Sequence, residues 1–198
     1  MVLTFNDYNF LFESVKDTKT AVMCFGRMNP PTNAHLMVMN AIVDCAKKEH
    51  ATACLFVSHT QDAKKNPLDY ETKIEYLKKL APKGLKVFDS PARTLIEAAK
   101  VLGDMGYKRL IVLCGSDRVK AYQVFEKYKK DMNIDEYEVK VVGKERNELS
   151  NDIDGMSASK MRQFVIDGKR DEFIKNSPFS KEDSAKLYMA VRNGLKLK

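Results

Sequence analysis

Tryptophan is absent from the 198-residue sequence, so any base or ring held in a pocket must stack on Tyr, Phe, Arg or His. No apolar stretch approaches the length of a membrane span, and no membrane association is expected. Met1–Lys19 carries Asp7, Glu13 and Asp17 among its apolar residues and lacks the basic start, apolar middle and small-residue cleavage site of a secretory signal. There is no internal repeat, low-complexity tract or long linker. Cysteine is scarce. Cys24, Cys45, Cys54 and Cys114 form no Cys-x-x-Cys pair, and His35, His50 and His59 share no zinc spacing with them. Three of the four cysteines fall in apolar, strand-like runs. All four are expected to be reduced, buried thiols in a cytoplasmic protein, with no metal held by a dedicated set of side chains.

The remaining composition is that of a globular protein, with 44% hydrophobic and 31% charged residues. Its length suits one α/β domain with a sizeable core. The net charge of +7 is uneven: residues 156–198 hold ten Lys/Arg against five Asp/Glu. An anionic small substrate, a nucleic acid and a merely solvated basic surface are all compatible with that excess. Residues 1–19 read as an N-terminal arm whose Tyr8, Phe10, Leu11, Phe12 and Val15 would dock on the body or on a second subunit, so a homo-oligomer stays open. Residues 20–198 read as a single domain, divided into a core over 20–150 and a phosphate-binding loop with a helical tail over 151–198.

Hydrophobic periodicity alternates between strand and helix. Strand-like runs are Thr20–Phe25, Ala53–Ser58, Leu85–Phe88, Arg109–Cys114 and Tyr137–Val142, the third being the shortest. Helical patterns cover Ala34–Lys48, Tyr70–Leu80, Thr94–Met105, Asp117–Lys130, Ser159–Gly168, Asp171–Lys175 and Lys181–Asn193. Such alternation predicts right-handed βαβ units. The fold class is α/β, a Rossmann-like, doubly wound, parallel five-stranded sheet with helices on both faces and a C-terminal helical tail. The ligand crevice then lies at the carboxyl ends of the strands, beside Gly26-Arg27, His59, Asp89 and Gly115-Ser116-Asp117.

Two stretches stand out there. In the first, Gly26-Arg27-Met28-Asn29-Pro30-Pro31-Thr32-Asn33-Ala34-His35 joins a buried strand to a helix start, where backbone N–H groups and the positive end of the helix dipole favour phosphate. Gly26 permits a close approach, the two prolines stiffen the loop, and Thr32 and His35 share one side of the first turn. A structural loop with a capping Thr and a surface His is the plainer reading. In the second, Ser157, Ser159, Lys160 and Arg162 open another helix. Two hydroxyls and a guanidinium fork there suit phosphate oxygens, although an ordinary Ser cap with exposed basic residues fits equally.

The ordered pair resembles the nucleotidyltransferase superfamily. Gly26–His35 is similar to its Gly-x-Phe-x-Pro-x-(Thr/His)-x-Gly-His signature and Met156–Arg162 to its Ile-Ser-x-Thr-x-x-Arg signature, about 120 residues apart. The superfamily includes nicotinamide mononucleotide adenylyltransferases, phosphopantetheine adenylyltransferase and glycerol-phosphate cytidylyltransferases. The short aromatic arm is similar to phage-encoded members. Met28 stands where Phe is usual, Ala34 where Gly is usual, and Met156 and Ser159 replace Ile and Thr.

The resemblance implies that His35, Thr32 and Arg162 are catalytic. It implies that Gly26, Arg27, Met28, Asn29, Thr32, His35, Ser157, Ser159, Lys160 and Arg162 bind the nucleotide. Lys64, Lys65, Gly115, Asp117 and Arg118 would bind the acceptor, with a surface loop and a helix cap as their plainer roles. The implied reaction is transfer of a nucleoside monophosphate, AMP in preference to CMP, from ATP (or CTP) to a phosphorylated small molecule such as nicotinamide mononucleotide. The implied cofactor is Mg²⁺, held mainly by phosphates and water. A cytidylyltransferase acting on a small alcohol or sugar phosphate is the nearest alternative. A non-catalytic basic module that binds nucleic acid is another; its support is charge alone, so nucleic acid is not the expected partner. Met156–Lys160 is also similar to the Lys-Met-Ser-Lys-Ser loop of class I aminoacyl-tRNA synthetases, but the chain leaves little room for a tRNA-binding domain.

Overall fold

The computed structural model describes residues 19–142 and 156–197. Met1–Thr18 of the expected arm, and residues 143–155 where the expected core meets the phosphate-binding loop, lie outside the described residues. Strands β1 (Thr20–Gly26), β2 (Thr52–Val57), β3 (Leu85–Val87), β4 (Arg109–Cys114) and β5 (Glu136–Val141) form one parallel sheet in the order β3-β2-β1-β4-β5. A parallel central strand is covered on both faces, so its apolar residues run without alternation. Ala21, Val22 and Met23 of β1 are accordingly fully buried, as are Leu110, Ile111 and Val112 of β4.

Both faces carry helices, as the alternation predicts. Helices α1 (Asn33–Lys48) and α2 (Tyr70–Leu80) lay Met39, Ile42, Val43, Ile74 and Leu77 over Val22, Leu55 and Ile111. On the opposite face, α3 (Leu95–Asp104) and the single turn α4 (Val119–Gln123) set Leu95, Ala98, Leu102 and Tyr122 against Met23, Phe56 and Val112. The one long helix expected over Asp117–Lys130 is not formed. A 3₁₀ turn at Ser116–Arg118, α4 and a second 3₁₀ turn at Val124–Tyr128 take its place. Tyr122 is the one buried side chain of these three elements, and Val124 is exposed. A helix of that length without a buried face has little tertiary packing to hold it.

The C-terminal helices α5 (Ala158–Ile166), α6 (Arg170–Asn176) and α7 (Lys181–Gly194) build a third cluster. Met161, Val165, Phe173, Leu187, Tyr188 and Val191 close on Leu68 and Tyr76, which belong to α2 and the loop before it. The tail is thus tied to the core through the far side of α2. A Cβ on Gly194 would come 2.0 Å from the Pro67 carbonyl oxygen, so a glycine is what lets α7 back onto that loop. The four cysteines are free. Burial pushes the Cys24 and Cys54 thiols up to about 12, which keeps them protonated and inert.

At the far end of the sheet, Glu49 accepts hydrogen bonds from Lys140 Nζ (2.6 Å) and Arg109 Nη1 (2.8 Å), fastening the end of α1 to β4 and β5. These bonds, with Lys140 the stronger cause, bring the Glu49 carboxyl down to about 2. A depressed carboxyl contributes stability above its ordinary pKa of 4.5 and loses it as pH falls toward about 2. Glu49→Gln is therefore expected to flatten the loss of stability across that window in urea unfolding at stepped pH. An acid limb identical to that of the wild type would show that the cluster does not stabilise the fold.

Candidate active site

Strand β1 has β2 on one side and β4 on the other, so the chain departs from it in opposite directions and leaves a crevice at its carboxyl end. The loop leaving β1 fills one wall. Met28 adopts φ 44° and is buried; its unbranched side chain packs with Cys24 and Val22. Asn29 is 2% exposed. Its Nδ2 donates to the Leu68 carbonyl (2.9 Å), and its Oδ1 accepts the Leu68 N–H (3.0 Å). The side chains of Met28 and Asn29, expected among the nucleotide contacts, therefore turn into the protein. Core burial claims the first, and a paired backbone claims the amide of the second.

Thr32 stands at the N-cap of α1. Its N–H and its hydroxyl both lie 3.1 Å from His35 Nδ1. With Nδ1 accepting from the backbone, the neutral ring carries its proton on Nε2, and that atom becomes the donor. Thr32 thus sets the tautomer and orientation of His35.

The second motif reaches the same loop. Ser157 caps α5, accepting the Lys160 N–H (3.2 Å). One turn on, Arg162 donates from Nη1 to the Asn29 carbonyl (2.7 Å) and from Nη2 to Ser159 Oγ (3.0 Å). A further strut runs from Asn33 Nδ2 to the Asn176 carbonyl (3.1 Å). Desolvation lowers the Arg162 pKa; the nearby Arg27 charge pushes the same way, and Asp62 opposes it. Two guanidiniums from distant segments are thus held within electrostatic reach of each other, an arrangement that a polyanion relieves. Lys160 is exposed on α5.

A third wall is the loop between β2 and α2. Asp62 Oδ1 accepts the N–H groups of Lys64 (2.8 Å), Lys65 (2.6 Å) and Asn66 (3.4 Å), while the Asn66 amide donates to Oδ2. The Lys65 N–H, the Asn66 amide and then the Lys64 N–H hold this carboxyl well below the usual range. The loop is a built turn that leaves Lys64 and Lys65 exposed. His59, at the carboxyl end of β2, stacks on Tyr70 at 3.7 Å, and its Nε2 lies 2.8 Å from the Ser90 carbonyl, so its contacts are structural.

Beyond β4, Gly115–Arg118 forms the fourth wall. A Cβ on Gly115 would come 2.6 Å from Asp117 Oδ1, so the carboxylate folds over the glycine. Asp117 is exposed, and its ion pair with Arg118 is long, at 3.9 Å. Arg118 Nη1 donates to Tyr122 Oη (3.5 Å), and its charge reaches the Cys24 thiol near the end of β1. Of the expected site residues, the structure joins the Gly26–His35 loop directly to Arg162, and through Arg162 to Ser159. It sets Lys64-Lys65 and Gly115–Arg118 on flanking loops of the same end of the sheet.

One residue escapes a reading by motif. Lys73 in α2 is 0% exposed. Its Nζ donates to the Ser58 carbonyl and to the Thr60 carbonyl (3.5 Å). Burial lowers its pKa to about 8, against the opposing pull of Asp69 and Glu71. Its signal in the sequence is position: it lies in the apolar stripe with Tyr70, Ile74 and Leu77, where a lysine does not belong on an amphipathic helix.

Residues 23–178 match the family model described as cytidylyltransferase-like. Among solved structures, the chain is similar to a candidate nicotinate-nucleotide adenylyltransferase from Vibrio parahaemolyticus, at 15% identity and a TM-score of 0.57, with 86% of this chain and 99% of that one covered. It also aligns with Thermotoga maritima TmcAL bound to alpha-thio ATP at 14% identity and a TM-score of 0.49, covering 88% of this chain and 56% of that one. At these identities the likeness establishes the fold alone, and the second match carries no further argument. Among curated proteins the chain has no significant sequence match.

The Asn29 amide is the strut on which this geometry rests. Asn29→Ala leaves both backbone groups of the buried Leu68 without their partner, and is expected to cost about 2–4 kcal/mol of unfolding free energy. Denaturant titration measures it, and a loss well under 1 kcal/mol would show that water replaces the amide.

Proposed function

The chain belongs to the cytidylyltransferase-like family, and from that premise we propose that it transfers a nucleoside monophosphate from a nucleoside triphosphate to a phosphorylated small molecule. AMP is favoured over CMP, and the favoured acceptor is a mononucleotide such as nicotinamide mononucleotide. The observation that carries the reading is the bond from Arg162 to the Asn29 carbonyl, which brings the two phosphate-suited motifs to one place. The Gly-Arg-x-x-Pro-Pro opening and the Gly-Ser-Asp segment favour adenylyl transfer to a mononucleotide. The family's description keeps cytidylyl transfer as the second reading, for which we propose a small alcohol or sugar phosphate as acceptor.

In the proposed step an acceptor phosphate oxygen bonds to the α-phosphorus. The bond from that phosphorus to the α,β-bridging oxygen breaks, and pyrophosphate leaves with the electron pair. Alignment and charge neutralisation carry such chemistry, with no covalent intermediate on the protein. His35, donating through Nε2, would stabilise charge growing on the phosphate oxygens, and Thr32 keeps the ring in that tautomer. Arg162, Ser157 and Ser159 would hold the β- and γ-phosphates, with Arg27 and Lys160 adding positive charge. Lys64, Lys65 and the Gly115–Arg118 loop would receive the acceptor.

Among the described residues, no group of three His, Cys, Asp or Glu side chains is placed to hold a metal. The wall around Arg162 is cationic and suits phosphate oxygens, so Mg²⁺ would be carried there on those oxygens and on water. When bound there, the ion would neutralise phosphate charge.

A pyrophosphate-release screen of ATP and CTP against phosphorylated acceptors tests the reading. Turnover with neither triphosphate, together with salt-sensitive nucleic-acid binding, would replace the enzyme with a binding module. With the active pair in hand, His35→Ala and Arg162→Ala are each expected to lower kcat by about 10²–10³ while the protein stays folded by circular dichroism. Near wild-type turnover in either variant would remove that residue from the chemistry.

A further inference from the structure

Lys73 is a cation placed where an apolar residue would pack, and among the described residues its hydrogen-bond partners are two backbone carbonyls, with no carboxylate. Both carbonyls belong to the first residues after β2. Ser58 is already tied to β1, its N–H donating to the Gly26 carbonyl (2.9 Å). Thr60 lies two residues before Asp62, whose carboxylate gathers the N–H groups of Lys64, Lys65 and Asn66. The same loop is secured at its other end. Leu68 is locked to Asn29, and Asp69 caps α2 by accepting the Thr72 N–H (2.7 Å). Lys73 sits one residue past that cap bond. The first turn of α2 therefore fastens the loop at both ends, by its cap at the exit and by the Lys73 ammonium at the entrance.

We propose that Lys73 is a positioning residue: through the Ser58 and Thr60 carbonyls it braces the loop from β2 to α2, so that the Asp62 turn presents Lys64 and Lys65 to the anionic substrate at a fixed place. The loop's substrate role rests on the function proposed above; the bracing itself does not. Charge-assisted bonds to carbonyls are about twice as strong as neutral ones, which gives a reason for an ammonium where a buried neutral group would be less costly to desolvate. Lys73 touches no substrate atom in this scheme and acts through the loop. With the entrance released, the Asp62 turn keeps its internal bonds but loses its fixed position relative to Gly26.

Hydrogen exchange on the free, full-length protein tests the bracing without any substrate. In Lys73→Met the amides of Thr60–Asn66 are expected to exchange about tenfold faster, while those of β1, β4 and α1 are unchanged. Kinetics on the active substrate pair then test the consequence. Lys73→Met raises KM for the acceptor about tenfold with kcat within about threefold, and Lys73→Arg restores most of the loss. In a Lys64→Ala/Lys65→Ala background, adding Lys73→Met changes KM little further, because both act through one loop.

Unchanged exchange over Thr60–Asn66 in a folded variant overturns the proposal, as does a KM effect that persists undiminished without the two lysines. Should Lys73→Met not fold, Lys73→Gln takes its place; if that variant also unfolds globally, Lys73 is a stability residue and the proposal fails. A wild type inactive with every substrate pair would defeat the proposed function while the exchange result still decides the bracing.

Discussion

Everything at the carboxyl edge of the sheet depends on one buried amide. Asn29 binds the Leu68 backbone through its side chain and receives Arg162 at its own carbonyl, so three segments meet at one residue. Leu68 carries the junction into the C-terminal cluster with Leu187 and Val191, and Gly194 lets α7 press on neighbouring Pro67. The apolar packing of the tail and the polar geometry of the crevice are therefore one construction. A buried amide satisfied on both of its ends is stable only in a single register, which is why it can act as a reference point.

Charge is arranged with equal economy. At the far end of the sheet, Arg109 and Lys140 are matched by Glu49 and Glu138. Around the crevice the balance is different. Arg162 rests on a carbonyl and a hydroxyl, with Arg27 repelling it from nearby. Lys73, fully buried, also rests on carbonyls. The carboxylate closest in influence to Arg162, Asp62, spends its oxygens on its own loop. Held by neutral acceptors, Arg162 keeps its charge available to an anion, the electrostatic character that nucleotidyl transfer requires, whereas the buried Lys73 spends its charge on the loop.

Much of this was legible beforehand, for identifiable reasons. β1 and β4 are continuous apolar runs, and α1 and α2 have strong apolar stripes, so local pattern and tertiary burial agree. The segment after β4 departs from its helical pattern because its apolar residues do not face one body: Tyr122 is buried, whereas Val124 and Tyr128 are exposed. Met28 and Asn29 lie inside the phosphate motif, and position in a motif alone does not distinguish a ligand contact from a residue that holds the loop. In the structure their backbone shapes that loop while their side chains hold the fold. Lys73 carried a signal in its place on the α2 stripe, but nothing in the sequence indicated which carbonyls it would meet.

Sequence alone determined the order of strands and helices, the helix starts at Thr32 and Ser157, and the residue types able to meet phosphate. These are local matters, governed by periodicity, capping and side-chain chemistry. Only the tertiary structure decided that Arg162 would reach the carbonyl of Asn29, 133 residues away, that the Asn29 amide would serve Leu68, and that a lysine of α2 would hold the loop before it. Each of those pairings is between side chain and backbone across the sheet edge. Backbone carbonyls are identical at every residue, so no pattern of side chains could announce which of them would be chosen.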